Sequence, residues 1–428
     1  MPVIITNDKP MGVWKPVPLR EQMAERGESI PDYYVNPGEK ITLSSIKADV
    51  GSHTGHVQPH PKMLEKAEEL LTQAIKDKLI IDGVVFRVGD DMNLTMTHTR
   101  GTGDEKIHKL AFDTFVEAGK IAQEMSLYGA MQDILVSEFS GNVQGMGPGV
   151  AELEFILRKT EPVIVFAADK TSPYAFNRPL YNMFCSPYNS IGLAVDPKFF
   201  AGFKFQIKHL KTGADGFFVS PEERTAIKAF LGSEEYAIAY IYSRQVENDP
   251  VAACSTTRLS FIAGKYVGKD DPVCIVRAQS GLPAVGEVVN AFHFPGLVPG
   301  GMRGSSLRPL MPCSIFNCDP TYNDGPPRVI GLGFQINKGE FIGPTDLLGD
   351  ISFDESRRLA LQIAEYMQRH GVFYPGILPD KELEYGGKPV IYKMYEDRFP
   401  EIYKKFRELE KKQTEAEAEF IKKADEVS

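Results

Sequence analysis

What this 428-residue sequence lacks excludes several classes of protein. It has no run approaching the roughly 20 apolar residues that a helix needs to cross a bilayer, so we expect no membrane partner. The N-terminus has no basic flank followed by an apolar stretch, which argues against a secretory signal. The five cysteines are scattered, and no pair has the spacing of a zinc site, which favours free thiols in a reducing, cytoplasmic compartment.

An excess of positive charge is also missing. The formal net charge is −9 and the isoelectric point is about 5.5, so we expect no basic face that would follow the phosphates of a nucleic acid. The hydrophobic fraction of 43% and the charged fraction of 25% are typical of a folded globular chain. The acidic excess fits a protein that holds divalent cations, although solubility accounts for it equally well.

Composition divides the chain into three regions. Residues 1–40 form a proline-rich arm with a short helix near 19–26, residues 41–400 form the body, and residues 401–428 form a charged C-terminal helix. Apolar periodicity, without an internal repeat or a clean linker, predicts a single α+β domain for the body. We expect helices at 61–78, 106–126 and 356–370, and strands at 41–49, 84–88, 94–96, 162–168, 237–243, 259–263, 273–278 and 329–336.

Carboxylates recur at the ends of these predicted strands. A single aspartate in such a place is most simply a turn residue or a helix cap. Gathering several in one place is costly unless cations balance them, and oxygen ligands select Mg²⁺, Mn²⁺ or Ca²⁺ rather than zinc. His56 lies in a glycine-spaced loop that can fold back over the end of the first strand. The aspartates concerned are Asp49, Asp90, Asp91, Asp169, Asp270 and Asp271.

Residues 264–272, with the sequence GKYVGKDDP, place Tyr266 and Lys269 beside two of these carboxylates. A lysine forms a Schiff base only when part of it is neutral, and carboxylates alone favour its charged form. A metal cation on the aspartates would reverse that field and leave the tyrosine to move protons. Taken alone, the same segment is more simply a solvated surface turn.

Two further segments offer contacts for an anion. The glycine-rich residues 140–149 can bring backbone amides close to a phosphate, although they match neither a P-loop nor a dinucleotide-binding fingerprint. Arg303, between glycines, offers a second contact. The residues by themselves therefore indicate a metal-dependent enzyme that acts on a phosphorylated small molecule, with a possible Schiff-base lysine.

Several motifs resemble those of the archaeal-type fructose-1,6-bisphosphate aldolase/phosphatase family, which is also called the class V fructose-bisphosphatase family. The resemblance runs in order from residue 41 to about residue 400 and leaves out the N-terminal arm. It is carried by IKADVGSHTGH, VGDDMNLTMTHTRG, LYGAMQD, FSGNVQGMGPGVAE, ADKTSPYAFNRPLY and IAGKYVGKDDPV.

This resemblance implies a fold, an assembly and two reactions. The fold would be a four-layer α-β-β-α sandwich, assembled as a homo-octamer with several Mg²⁺ ions in each site. Dihydroxyacetone phosphate would form a Schiff base with Lys269 and condense with glyceraldehyde 3-phosphate, with Tyr266 as proton donor and acceptor. The fructose 1,6-bisphosphate formed would then lose its 1-phosphate, with Asp49 as base, to give fructose 6-phosphate in gluconeogenesis.

The resemblance also implies two sets of binding residues. The metal ligands would be Asp49, His56, Asp90, Asp91, Gln132, Asp169, Asp270 and Asp271. The contacts to the sugar phosphates would be His56, Tyr128, Gly141, Asn142, Lys170, Gln279, Arg303 and Tyr385.

Two other functions remain open from the sequence. The first is a phosphatase for inositol or sugar phosphates in which the lysine is inert. The second is a sugar-phosphate sensor or scaffold without turnover.

Overall fold

A computed structural model describes residues 16–54, 56–135, 147–210, 212–258, 272–300, 306–319, 325–369, 393 and 396–425. Helices and mostly antiparallel strands occur together in these residues, which confirms the α+β class. The helices are α1 (Leu19–Glu25), α2 (Pro61–Lys76), α3 (Glu105–Glu124), α4 (Asn177–Cys185), α5 (Gly192–Val195), α6 (Arg224–Leu231), α7 (Val285–Asn290), α8 (Asp354–Arg369) and α9 (Pro400–Asp425). Among the described residues, no helix has the length and apolar character needed to traverse a membrane.

The strands form two large sheets and one small one. They are β1 (Lys40–Asp49), β2 (Asp82–Val88), β3 (Asp91–His98), β4 (Gly149–Ile156), β5 (Glu161–Asp169), β6 (Phe203–His209), β7 (Asp215–Val219), β8 (Tyr236–Ser243), β9 (Asp249–Cys254), β10 (Thr257–Arg258), β11 (Val273–Arg277), β12 (Leu297–Gly300), β13 (Ser306–Pro309), β14 (Met311–Pro312), β15 (Arg328–Asn337) and β16 (Glu340–Asp346). β12 and β13 form the small sheet.

β1 is the central strand of a five-stranded antiparallel sheet with the order β10-β4-β1-β3-β2. Successive side chains of a strand point to opposite faces, so Ile41 and Leu43 face one side of this sheet and Ile46 and Ala48 the other. All four side chains are fully buried. β2 and β3 form the predicted hairpin, and Asp90 lies in its turn.

β5 lies inside the nine-stranded sheet, between β15 and β11. The strand order is β14-β15-β5-β11-β9-β8-β6-β7, with β16 paired to β15. Val163, Val165 and Ala167 alternate with Ile164 and Phe166, and both faces are buried, as the continuous apolar run predicted.

Three hydrophobic clusters connect these elements. One joins α1, α2 and α3 to one face of the five-stranded sheet. The second, which we call the inter-sheet cluster, joins the other face of that sheet to the nine-stranded sheet and includes Leu43 and Val165. The third joins the opposite face of the nine-stranded sheet to α4, α6 and α7. The space between the two sheets is therefore packed with apolar side chains along much of its length.

The described part of the N-terminal arm packs against the body. Leu19 and Met23 of α1 are fully buried in the cluster that contains α2 and α3. The guanidinium of Arg20 donates to the carbonyl of Ile81 at 2.7 Å and forms a 2.6 Å ion pair with Glu340 of β16. The short helix predicted in the arm is confirmed, and it links β2 to the β15–β16 hairpin.

The predicted helices and strands that fall on described residues agree with the observed ones to within three residues at each end. The strand predicted at 259–263 lies outside the described residues. The sequence pattern did not predict β4, β6, β7, β9, β10, β12, β13, β14 or β16, nor the helices α4, α5, α6 and α7.

Candidate active site

Three strands bring carboxylates to one end of the space between the two sheets. β1 ends at Asp49, β3 begins at Asp91 directly opposite it, and β5 ends at Asp169. By strand alternation Asp49 shares a face with Leu43, and Asp169 shares a face with Val165. Leu43 and Val165 both belong to the inter-sheet cluster. The three buried carboxylates therefore point into the space between the sheets.

Asp90 and His56 join this group. Nδ1 of His56 lies 2.6 Å from Oδ2 of Asp90 and 3.4 Å from Oδ2 of Asp49. One ligand atom from each of these three residues lies within 4.8 Å of the other two. That spacing allows a single divalent cation to contact all three residues.

The loop that carries His56 packs against the segment after α3. Ser52 and Tyr128 exchange backbone hydrogen bonds, and the Tyr128 ring meets the His56 ring edge-on with centroids 4.6 Å apart. A methyl group on Gly129 would lie 3.1 Å from Oε1 of Gln132 and 3.6 Å from Cε1 of His56. The predicted residues His56, Tyr128 and Gln132 are therefore neighbours.

Asp133 holds the backbone of Asp49 in place, although we did not predict a role for it. The amide of Asp49 donates to Oδ2 of Asp133 at 3.0 Å, and the amide of Asp133 donates to the carbonyl of Asp49 at 2.9 Å. Asp133 follows the predicted ligand Gln132 in the sequence, and that adjacency was the available signal.

Lys170 follows β5 in a left-handed conformation, with φ of 60°. Its ammonium lies 3.0 Å from Oδ1 of Asp90 and 3.2 Å from Oδ1 of Asp169. The Asp169 carboxylate also lies very close to the backbone of residue 89. This contact requires a glycine at position 89, because a Cβ atom there would lie 2.4 Å from Cγ of Asp169. Gly89 thus allows the carboxylate at the end of β5 to lie beside the β2–β3 turn.

A second lysine, Lys47, lies deeper between the sheets and was not among the predicted residues. It precedes Asp49 by two positions on β1, so the two side chains share a face. Its Nζ atom lies 2.6 Å from Oδ2 of Asp91, and the two side chains are only 1% and 2% exposed. The signal in the sequence was a lysine at an inward-facing position of a buried strand.

The charged groups of this site shift one another's pKa values. Burial, and then the charge of Asp90, raises the pKa of Asp49 to about 7. Burial opposes the charged form of His56, but the carboxylates of Asp49 and Asp90 outweigh burial and raise the pKa of His56 to about 11. Burial would raise the pKa of Asp90, yet Lys170 and His56 hold it well below its usual range. The negative charge gathered by these carboxylates favours the binding of cations.

The donor set fits a hard divalent cation. Carboxylate oxygens dominate it, with one amide oxygen and one imidazole, and this chemistry is typical of Mg²⁺, Mn²⁺ and Ca²⁺ rather than of sites built from thiolates. The residues at hand can therefore hold a divalent metal between the strand ends.

Gln279 lies far from these carboxylates within one chain. It follows β11, and the amide of Ala278 donates to the carbonyl of Pro162, next to the first residue of β5. Asp169 is at the other end of β5, about 25 Å away at roughly 3.3 Å per strand residue. The remaining predicted residues lie outside the described ranges: Gly141, Asn142, Tyr266, Lys269, Asp270, Asp271, Arg303 and Tyr385.

Comparison with known proteins identifies the family. The family model described as Fructose-1,6-bisphosphatase matches residues 40–400. A protein of Moorella thermoacetica named fructose-1,6-bisphosphate aldolase/phosphatase is 49% identical over 366 residues, which is 85% of this chain and 96% of that protein. The protein of the same name from Thermococcus kodakarensis is 50% identical over 371 residues, 85% of this chain and 99% of that protein. The chain belongs to the fructose-1,6-bisphosphatase family and, within it, to the aldolase/phosphatase type that its motifs resemble.

Proposed function

We propose that this protein is a bifunctional gluconeogenic enzyme, both a fructose-bisphosphate aldolase and a fructose-1,6-bisphosphate 1-phosphatase. It joins dihydroxyacetone phosphate to glyceraldehyde 3-phosphate and then hydrolyses the 1-phosphate of the product to leave fructose 6-phosphate. The observation that carries the proposal is the convergence of Asp49, His56, Asp90, Asp169 and Lys170 at one end of the inter-sheet space. The relatives are named for both activities, which supports it.

Magnesium is the proposed cofactor, with several ions per site. When bound, the cations polarise the phosphate and supply hydroxide near neutral pH. Asp49 is the proposed base that takes a proton from the attacking water. The residues proposed to hold the ions are Asp49, His56, Asp90, Asp91, Gln132, Asp169, Asp270 and Asp271.

Lys269 is the proposed Schiff-base residue, with Tyr266 as proton donor and acceptor. The amine of Lys269 attacks the ketone carbon of dihydroxyacetone phosphate, and water leaves as the imine forms. Tyr266 then moves the protons that accompany bond formation with the aldehyde carbon of glyceraldehyde 3-phosphate.

The residues that flank 259–271 support this placement of Lys269. Before the segment, β10 ends at Arg258, paired with Gly149 on the five-stranded sheet near Lys47. After it, the carbonyl of Pro272 accepts a hydrogen bond from the amide of Ala168, next to Asp169. The chain therefore leaves and re-enters the described structure at the end of the sheets that carries the carboxylates.

Described residues next to two segments with proposed phosphate contacts also lie near the carboxylates. Gly300 pairs with Thr171, the neighbour of Lys170, immediately before the segment that contains Arg303. The segment with Gly141 and Asn142 ends close to Gly149, which faces Lys47 across β1 and β4. The full proposed set is His56, Tyr128, Gly141, Asn142, Lys170, Gln279, Arg303 and Tyr385.

The distance of Gln279 from the carboxylates supports an oligomer. If Gln279 contacts substrate, a neighbouring copy has to supply it, and we propose a homo-octamer. The three hydrophobic clusters support the proposed four-layer α-β-β-α sandwich. We further propose the body at 41–400, the arm at 1–40, the charged helix at 401–428 and a cytoplasmic location, with neither a membrane nor a nucleic-acid partner.

Borohydride trapping tests the proposed pair of activities. With dihydroxyacetone phosphate and Mg²⁺ present, peptide mass spectrometry should locate a reduced adduct at Lys269. Lys269→Arg should lose the adduct, while Lys265→Arg, four residues earlier in the same segment, should keep it. Phosphate release from fructose 1,6-bisphosphate without any adduct would leave a phosphatase with an inert lysine. Ligand binding without either activity would indicate a sensor.

A further inference from the structure

The cationic side chains that contact the carboxylates differ in their burial. His56 and Lys170 both contact Asp90, and 19% of each side chain is exposed, so either can turn toward a ligand. Lys47 contacts Asp91 with only 1% of its side chain exposed. Separating a buried ion pair leaves uncompensated charges in the interior, which is strongly unfavourable. Lys47 is therefore held on Asp91 more firmly than His56 and Lys170 are held on Asp90.

We infer that Lys47 sets the cation selectivity of the site, because it occupies Oδ2 of Asp91 and restricts that carboxylate to coordination through one oxygen. At 2.6 Å the contact is a short, charge-assisted hydrogen bond. This role rests on the proposed function, in which Asp91 is a metal ligand. Lys47 acts through Asp91, so it is a positioning residue rather than a catalytic one.

The consequence follows from the different requirements of two cations. Mg²⁺ demands six ligands in a nearly ideal octahedron at about 2.0–2.1 Å, whereas Ca²⁺ accepts six to eight oxygens at about 2.3–2.6 Å, including both oxygens of one carboxylate. An Asp91 with one oxygen held by Lys47 suits the first cation and removes a bidentate ligand from the second. Lys47 thus disfavours Ca²⁺ relative to Mg²⁺.

The fold keeps the lysine in this position. The cross-strand neighbours of Lys47 are Asn93 on β3 and Gly149 on β4, and neither carries a charge. The Asn93 amide donates to the carbonyl of Asp91 at 3.3 Å, which further fixes the backbone that carries the carboxylate. The orientation of Asp91 is therefore determined from β1 and from its own strand.

Displacement of Mn²⁺ provides a test that does not depend on turnover. Bound Mn²⁺ is measured by electron paramagnetic resonance while Mg²⁺ or Ca²⁺ is added to the full-length protein. In Lys47→Met we expect the ratio of Mg²⁺ to Ca²⁺ affinity to fall about tenfold to a hundredfold, the range typical when a group that orients a metal ligand is lost. Lys40→Met is the matched control, because Lys40 lies on the same strand, pairs with Glu154 and is 71% exposed. It should keep the wild-type ratio of the two affinities.

An unchanged ratio of Mg²⁺ to Ca²⁺ affinity in folded Lys47→Met would overturn the role of Lys47. If Lys47→Met fails to fold, Lys47→Gln is measured instead with the same expectation, since its shorter neutral side chain cannot hold Oδ2 with a charge. Failure of the proposed metal site would differ: the wild type would not bind Mn²⁺, or Asp90→Asn would bind it as tightly as the wild type.

Discussion

Two groups of histidines and carboxylates lie toward opposite ends of the five-stranded sheet, on opposite faces. The first, the acidic end, consists of Asp49, His56, Asp90, Asp91 and Asp169. The second, the helix-side group, consists of Ser44, His98, His108 and Glu152. Their residue types are similar, but the two groups have opposite electrostatic character.

In the helix-side group one carboxylate serves several donors. Glu152 accepts hydrogen bonds from the Ser44 hydroxyl at 2.7 Å and from the Gly103 amide at 2.7 Å, and it lies 3.3 Å from Nε2 of His108. Burial lowers the pKa of His98 to about 4, so that imidazole is neutral near pH 7. At the acidic end the carboxylates outnumber the cationic side chains that contact them, and His56 becomes charged. The ratio of carboxylates to donors, rather than the presence of histidine, therefore distinguishes the candidate cation site from the helix-side group.

The largest expected effect is at the acidic end. Asp90→Asn removes the charge that His56 and Lys170 both contact, so we expect at least a hundredfold loss of phosphate release from fructose 1,6-bisphosphate and of Mn²⁺ affinity. Glu152→Gln, the same change in the helix-side group, should keep both. Equal losses in the two variants would remove the distinction between the groups.

Glu152→Ala should lower the stability of the protein rather than its Mn²⁺ affinity. It leaves the Ser44 hydroxyl, the Gly103 amide and His108 without their buried acceptor, so we expect the free energy of unfolding in urea to fall by about 2–4 kcal/mol. Glu154→Ala, two residues later on β4, removes only the ion pair with exposed Lys40 and should cost less than about 1 kcal/mol. A stability loss no larger than that of Glu154→Ala would show that the network is not structural.

Gly89→Ala tests how closely the two sheets must approach. The added methyl group would lie 2.4 Å from Cγ of Asp169, so this carboxylate has to move and Mn²⁺ affinity should fall by about tenfold. Gly27→Ala is the control for backbone conformation, because Gly27 is also left-handed, with φ of 68° against 56° for Gly89, and a Cβ there would meet nothing within 4 Å. Similar affinities in the two variants would contradict a steric role for Gly89.

The smallest expected effect is the pH dependence contributed by His98. Its folded pKa of about 4 lies below the usual 6.5, so between these values the unfolded chain binds the additional proton and stability falls as pH falls. We expect a loss of about 1 kcal/mol per pH unit between pH 6 and 5. In His98→Gln this contribution disappears while other groups titrate as before. Unfolding curves with the same pH slope in both proteins would refute the prediction.

The strands and carboxylates of the site were predictable where the local pattern and the tertiary environment agree. β1 and β5 are buried on both faces, and their apolar runs end on Asp49 and Asp169. β7 was not predicted because its five residues are partly exposed on both faces and show no apolar alternation. β4 begins within a glycine-rich segment that reads as a loop. β6 differs from β7, because Phe203, Phe205 and Ile207 are buried and alternate with polar residues, so a strand signal was present there in the sequence and was missed.

The residues that support the site were harder to predict because they depend on contacts distant in sequence. Asp133 holds Asp49 across 84 positions, and Lys47 meets Asp91 across 44. The place of Gln279 follows from the antiparallel register of β11 and β5, which no local pattern contains. The residue types at the strand ends could thus be found from the sequence, whereas the distances and orientations between them required the fold.

The ion pair between Arg20 and Glu340 has a consequence for the order in which the protein can mature during synthesis. The two residues are separated by 320 positions, so α1 leaves the ribosome long before its partner strand β16 exists. Leu19 and Met23 meet their partners in α2 and α3 much earlier, whereas the Arg20 guanidinium waits for Glu340 until most of the chain has been translated, because contacts this remote form only after a long loop closes. Nascent chains that stop before β16 should therefore hold α1 less firmly, and proteases should cleave the amino-terminal segment faster in them than in the finished chain.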